Sequence, residues 1–287
     1  MQPHGIRKST VAGMFYPGDP GVLRRDVDRM LDAAVRRDAS GVVCAMVSPH
    51  AGYPYSGAIA ACGFRQLREH DVRTLVMIGP SHVEYFNFSS VFTGDAYETP
   101  LGAVAVDVDL AKRIAASHET IRESNHGHVQ PDLQRGEHGL EVQLPFLQRT
   151  HPNAMIVPIV MGEQNLEQCI ALGKTLAAEC GPQDVILASS DLSHFHDYDT
   201  AVALDRIFLD TLSALDAPDL FDAVRELKCE ACGAGPVVAS LVATDAPDRE
   251  RRYSLLAHAN SGDVAGDRNS VVGYASAVIT TGAEDGP

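Results

Sequence analysis

Basic residues are scarce in this chain. Its 23 lysines and arginines stand against 38 aspartates and glutamates, a formal net charge of −15, and the basic residues gather into no patch. Phosphate backbones and anionic membranes repel such a chain, so neither nucleic acid nor a membrane surface is expected as a partner, and solubility accounts for the acidity. Long apolar runs are missing too: none approaches the roughly 20 residues that span a bilayer. The opening MQPHGIRKST has no apolar core of a signal peptide, and together these absences predict a cytoplasmic protein. Cysteine is limited to positions 44, 62, 169, 180, 229 and 232. Several of these fall in apolar or helical stretches, which predicts buried, reduced thiols. Cys229 and Cys232 form a single C-x-x-C with no second pair and no histidine pair at finger spacing, which argues against a structural zinc site. No G-x-S-x-G elbow occurs, and Ser81, Ser190 and Ser193 lack its strand–turn–helix setting, so a serine nucleophile is disfavoured. Nor is there a repeat, a low-complexity block or a Pro/Ser-rich linker. The simplest organisation is one domain over 1–287.

What is present is an ordinary globular composition, 45% hydrophobic and 21% charged. Strand-like and helix-like segments alternate along it. GVVCAMVSP (41–49), RTLVMIGPS (73–81), NAMIVPIVMG (153–162) and DVILASSD (184–191) are continuous apolar runs of the kind that form buried strands. FNFSSVFTG (86–94) alternates with period two. Helices are predicted over 57–69, over 107–117 with Asp107 as N-cap, over 166–180, twice within 199–228, and from 233 to 244. YSLLAHAN and SVVGYASAVIT supply two late strands. The class is α/β, with consecutive strands that imply a mixed sheet. The stretch 259–269 reads as a surface loop and GAEDGP as a frayed tail. The polar connection 118–139 holds His118, His126, His128 and His138 and reads equally as a lid or as a mobile segment.

Chemistry-bearing residues sit where apolar strands run out, in SPHAGYPYSG at 48–57, IGPSH at 78–82 and ASSDLSHF at 188–195. In an open α/β sheet the carboxyl ends of strands line one crevice, where ligands bind. His50, His82, Asp191 and His194 can therefore meet in one pocket, as raw material for a metal site or for acid/base work. Gly52, Gly57, Pro49 and Pro54 make the first turn rigid, and Tyr53 and Tyr55 give it walls. Asp191 can fix the tautomer of an imidazole, and His194 suits general acid/base catalysis near neutral pH. Glu137 and Glu141 are four apart at the start of a helix whose apolar face is Leu140, Leu144 and Leu147. They serve either the helix dipole or, for Glu141, the pocket. Cys232 lies in the turn before the helix from 237, and a thiol at a helix N-terminus becomes more acidic and can serve as ligand or nucleophile, while Cys229 reads as buried and inert.

AGMFYPGDP, SPHAGYPYSG, IGPSH, EHGLEVQLPFL, SSDLSHF and CGAGP occur in the order in which they stand in the MEMO family, which includes the prokaryotic AmmeMemoRadiSam system protein B. The resemblance covers about 8–278. It implies a single domain with a mixed central sheet flanked by helices, similar in fold to the class III extradiol (LigB-like) dioxygenases. It implies metal ligands at His50, His82 and Cys232, with His194 as acid/base, Asp191 and Glu141 as orienting carboxylates, and Tyr16, Phe15 and Tyr55 as substrate-facing walls. The implied cofactor is Fe(II) first, with Cu or Zn as alternatives, and Gln143 takes no metal role. The implied activity is a metal-dependent oxidoreductase acting on a small, phenolic substrate. A third ligand that is a thiolate departs from the two-His, one-carboxylate set of extradiol enzymes and is better matched to softer metals. Two further readings therefore stand beside it: a non-catalytic metal-binding or interaction module, and a metal-dependent hydrolase. Among prokaryotic relatives the implied protein partners are an AMMECR1-like and a radical SAM protein.

Overall fold

In the computed structural model, residues 5–37, 39–129, 136–246 and 249–282 are described. The elements run in chain order. They are β1 (Ile6–Arg7), α1 (Pro20–Ala33), β2 (Val42–Ser48), a π-helical turn (Tyr53–Gly57), α2 (Ala58–Leu67), β3 (Thr74–Pro80), β4 (Ser89–Val91), β5 (Ala96–Thr99) and β6 (Gly102–Ala105). Then come α3 (Val108–Ala116), β7 (Ile121–Glu123), α4 (His138–Glu141), α5 (Leu144–Thr150), β8 (Met155–Met161), α6 (Leu166–Glu179), β9 (Asp184–Ser189) and β10 (His194–His196). The chain closes with α7 (Tyr198–Ser213), α8 (Ala217–Arg225), α9 (Ala234–Thr244), β11 (Arg251–Asn260), α10 (Ser261–Ala265) and β12 (Val271–Thr281).

The apolar runs become a parallel core, β2-β9-β3-β8, within a sheet ordered β10-β12-β2-β9-β3-β8-β4-β7, with β11 paired to β12. Every residue of β3 and of β9 is buried. A strand covered on both faces has no polar side to show, which is why these segments read as continuous rather than alternating. β12 and β4 run antiparallel to their neighbours β2 and β8, so the sheet is mixed. A second, three-stranded sheet, β1-β5-β6, has no counterpart in the apolar pattern of the sequence.

Helices cover both kinds of neighbour. α9 lies against β9, β2 and β3 and carries α6, while α2 lies against β2 and β12 and packs with α1 and α5. Asp107 caps α3 through the Leu110 N–H, as expected, and Asp19, Asn165, Asp197 and Asp216 cap α1, α6, α7 and α8 in the same way. Each such cap is worth about 1 kcal/mol of helix stability. No helix among the described residues is long and apolar enough to cross a membrane.

Three local expectations need correction. The stretch 259–269 is not all loop: it holds α10, begun by a capping box of Asn260 and Asp263. Residues 118–129 of the polar connection are built into the fold, through β7 and a wholly buried His128, while 130–135 lie outside the described residues. Of the six cysteines, all free, only Cys169 and Cys229 are buried. Most of the tail GAEDGP, 283–287, also lies outside the described residues.

Register puts the chemistry at one edge. Ser48 pairs with Ser189 across β2 and β9, and Ile78 with Ala188 across β3 and β9. The residues that follow, His50, His82 and Asp191, therefore leave three adjacent parallel strands at the same end.

Candidate metal centre

His50, His82 and Cys232 each bring one ligand atom to within 4.8 Å of the others. Cys232 Sγ is 3.2 Å from His50 Nε2. The two imidazole rings stand edge-to-face, with centroids 5.1 Å apart. Cys232 arrives from the other side of the strand ends, one residue before the Gly233 that opens α9. A Cβ at Gly233 would fall 2.3 Å from the Ser189 carbonyl oxygen, so only glycine lets this turn press against the end of β9. The Cys232 N–H then donates to the Asp191 carbonyl at 3.2 Å, and the Asp191 N–H points back at Sγ at 3.3 Å.

Tautomers follow from the partners of each ring. Ser189 Oγ donates to the Gly139 carbonyl at 2.6 Å, so toward His50 Nδ1, 2.9 Å away, it acts as acceptor. His50 thus keeps a proton on Nδ1, and Nε2, facing Cys232, is the nitrogen that a metal would take in place of a proton. His82 Nδ1 donates to Glu137 Oε1 at 2.9 Å, while its backbone N–H donates to Glu137 Oε2 at 2.7 Å. Its other nitrogen is left for the pocket. A buried carboxylate behind a ligand imidazole is the arrangement that orients metal-binding histidines. Asp191 accepts the His50 backbone N–H at 2.7 Å and so fixes the loop rather than the ring.

Charges couple these groups. Burial pushes the Cys232 thiol up, but the charge of His50 and hydrogen bonds from His50 and His82 bring it down to about 6. Burial opposes protonation of His50 and His82, yet Cys232 with Asp191 lifts the first to about 9, and Cys232 with Glu137 lifts the second to about 10. Glu137, despite burial, is held down to about 2, chiefly by His82 and His138. His138, one residue on, is taken down to about 4 by burial, with the cations of His50 and His82 adding to it. Cys229 is fully buried and its thiol is pushed up to about 11, which leaves it inert as expected.

Not every expected residue joins this group. Glu141 does not turn to the pocket: it accepts from the Arg7 guanidinium, the N–H groups of Thr10 and Val11, Thr10 Oγ1 and the Tyr16 hydroxyl. Every lone pair is used, so it braces the N-terminal segment. Tyr16 is committed to the same brace. Phe15 does reach the site edge, its ring 4.7 Å from that of His138, while Tyr55 is 44% exposed and faces solvent. Gln143 bonds Ser48, Pro49 and Ser189 and serves as scaffold. His194 is half-buried, and its Nδ1 donates to the Leu192 carbonyl at 2.7 Å, which leaves Nε2 as a base. Beside it Phe195, at φ 64 where the register of β10 shifts, is turned outward.

Sequence reasoning missed three contributors. The sequence points Glu137 to the helix dipole and gives His138 no role, whereas both reach the site. His138 stands 4.8 Å from His82 and 5.4 Å from His50, ring centre to ring centre. Glu230 binds the His196 ring at 2.9 Å and the His194 N–H at 3.3 Å, tying β10 to the Cys232 turn.

An α/β domain with a mixed sheet and a His-His-Cys cluster at its strand ends defines a class of domain with a metal-type pocket. A family profile described as "Memo-like protein" matches residues 7–278. MEMO1 family proteins of Methanothermobacter thermautotrophicus and Methanosarcina mazei are 36% and 37% identical over 280 residues, covering 94% and 96% of this chain and 99% of each relative. A third, from Methanopyrus kandleri, is 33% identical over 288 residues, covering 96% and 99%. The chain belongs to the Memo family. Among solved structures, an uncharacterized protein, JW3007, from Escherichia coli K12 shares the fold, with TM-score 0.56 at 13% identity over 82% of this chain and 99% of that one. This architecture is consistent with the LigB-like fold that the resemblance implied.

Proposed function

We propose that the pocket binds one metal ion through His50 Nε2, His82 and Cys232 Sγ, and that the loaded protein is an oxidoreductase acting on a small, phenolic substrate. The carrying observation is the convergence of three ligand atoms within 4.8 Å, two of them on rings whose outer nitrogens are already engaged. The donor set fits the group: two imidazoles suit Fe(II), Zn and Cu alike, and the thiolate favours the softer end, so Fe(II), Cu or Zn can be held. When bound, the metal supplies Lewis acidity and, for iron or copper, redox chemistry. The chain does the rest. Ser189 and Glu137 hold the rings, Phe15 and His138 wall one side, and His194 Nε2 can take a proton from a phenolic hydroxyl at the edge of the site.

One observation favours a second reading, a non-catalytic metal-binding or interaction module that works with partners such as the AMMECR1-like and radical SAM proteins. The third donor is an acidified thiol, which grips a soft ion firmly and which oxygen itself oxidises. Elemental analysis of wild type against His50→Ala, His82→Ala and Cys232→Ala tests the site. About one metal per chain in wild type and under about a tenth in each variant is expected, and full metal content in the variants would sink the assignment. Anaerobic Fe(II) loading followed by oxygen and a panel of catechols separates the readings. Oxygen uptake tied to substrate loss means an enzyme, metal without turnover means the module, and activity with Zn and no oxygen means a hydrolase.

A further inference from the structure

Glu137 serves more than one imidazole. Its Oε1 lies 2.9 Å from His82 Nδ1 and 3.3 Å from His138 Nδ1. His82, Glu137 and His138 form a second group whose ligand atoms all lie within 4.8 Å of one another, and it shares only His82 with the first. Simple geometry tests this spacing. A divalent ion about 2.1 Å from its donors sets neighbouring donors about 3.0 Å apart when octahedral and about 3.4 Å apart when tetrahedral. The two measured edges, 2.9 Å and 3.3 Å, lie within about 0.1 Å of the span those geometries set. The carboxylate is also held in place independently, by the backbone N–H groups of Gly139 at 2.8 Å and His82 at 2.7 Å.

We propose that the pocket contains two alternative metal seats sharing His82: a thiolate seat of His50, His82 and Cys232 for soft ions, and a carboxylate seat of His82, Glu137 and His138 for harder divalent ions. Two imidazoles and one carboxylate suit Mn(II) and Fe(II), whereas a thiolate selects Cu(I). Sharing makes the seats exclusive. A neutral imidazole has one proton-free nitrogen, so His82 faces the thiolate seat while its Nδ1–H is given to Glu137. Filling the carboxylate seat takes the proton from Nδ1, leaves Nε2 protonated and turns Nδ1 into a ligand. His138, neutral in the fold, offers Nδ1 to the same ion without that exchange. Glu137 thereby changes from the group that orients His82 into a ligand beside it. One protein then answers two metals with different donors and holds one at a time.

This inference rests on the metal-binding reading only through His82, and the two can fail separately. Full-length wild type, Cys232→Ala and His138→Ala are compared, with thermal melts confirming that each is folded and His138→Asn replacing an alanine variant that is not. Cu(I) is titrated anaerobically against a coloured chelator, and Mn(II) is followed by the loss of its free-ion electron paramagnetic resonance signal. Cys232→Ala is expected to weaken Cu(I) by at least about a hundredfold and to leave Mn(II) within about threefold, and His138→Ala to do the reverse. Saturating Cu(I) should expel Mn(II) from wild type. The carboxylate seat is overturned if wild type takes up no Mn(II), if His138→Ala binds it unchanged, if Cys232→Ala loses it, or if both ions bind at once. Cu(I) binding that survives Cys232→Ala instead overturns the thiolate seat, and leaves the Mn(II) comparison standing.

Discussion

Two buried polar clusters lie side by side at the strand ends, and they differ in one respect. In the first, Arg7, Glu141, Tyr16, Thr10 and His128 satisfy one another. Arg7 gives its guanidinium hydrogens to Glu141, Thr10 Oγ1 and the carbonyls of Glu137 and His128, and it also lies 4.8 Å over the Tyr97 ring. In the second, His50, His82 and Cys232 have their outer atoms engaged and their inner atoms turned toward one another. A buried carboxylate backs each, Glu141 taking the Arg7 guanidinium in the first and Glu137 the His82 ring in the second. A saturated cluster can only hold the fold together. A cluster whose lone pairs converge on a shared space can bind something. The accounting of hydrogen bonds tells the two apart.

The difference can be broken most directly at Glu141. Glu141→Gln keeps the shape, removes the charge and aims an amide donor at a shell made wholly of donors. Breaking one partner of a fully buried ion pair costs about 3–5 kcal/mol, and in a domain of this size that lowers the melting temperature by of order 10 °C. Metal content per folded chain should not change, because Glu141 does not face the pocket. Calorimetry with elemental analysis checks both halves. Unchanged melting together with lost metal would return Glu141 to the pocket and erase the contrast.

Acid separates the clusters next. His128 is wholly buried, Nε2–H donating to the Ser90 carbonyl and Nδ1 paired with the Tyr97 hydroxyl, so both nitrogens are spoken for in the neutral ring. Burial, with Arg7 nearby, pushes it down to about 4. A histidine depressed in the fold is neutral there while the unfolded chain, near 6.5, takes up a proton. Its contribution is therefore present above pH 6.5 and lost as pH falls toward 4. His138, also near 4, acts in the same direction. His50 and His82 are raised, to about 9 and about 10, so their contribution is full below pH 6.5 and lost as pH rises toward those values. Urea denaturation at pH 7 and pH 5 should show wild type losing about 2 kcal/mol that His128→Gln does not lose. Equal losses would mean that His128 titrates as an ordinary surface histidine.

Much of this was legible. The parallel strands declared themselves because strands buried on both faces have no reason to be polar, and the sheet's register then brought His50, His82 and Asp191 to one edge. The small sheet was hidden because β1 has two residues and β6 is the short, exposed GAVA, too little for a period to show. Glu137 and Glu141 were read together, as helical neighbours four apart. In the fold Glu137 is an N-cap with extended backbone, φ −62 and ψ 125, and α4 lasts only one turn. The spacing rule for helix faces therefore does not apply to the pair. Glu137 turns to His82 and Glu141 to Arg7, which reverses the weights the sequence suggested. His138 was out of reach for a related reason: its value lies in proximity to two other rings, contributed by β2 and β3, and no local pattern encodes that.

The smallest change bears on how the unsaturated cluster is kept ready. Ser189 Oγ links three elements: it donates to the Gly139 carbonyl, accepts Nδ1–H from His50 at 2.9 Å, and accepts from Gln143 Nε2 at 3.1 Å. Ser189→Ala removes the acceptor that keeps the His50 proton away from Cys232. The ring is then free to place its proton on Nε2, in the space between the ligand atoms, where it opposes metal binding. Partners of this kind are worth about ten- to a hundredfold in metal affinity, and the lower end applies here because the ring stays packed. Stability should fall by only about 1–2 kcal/mol, the cost of one buried polar contact. Competition titration of Cu(I) against a chelator, alongside melting curves, gives both numbers for the same protein. If affinity holds while stability drops, Ser189 belongs with the saturated cluster as mere scaffold. If affinity drops the more, the two clusters are joined at Ser189: a satisfied network on one side is what leaves the lone pair of His50 unsatisfied on the other.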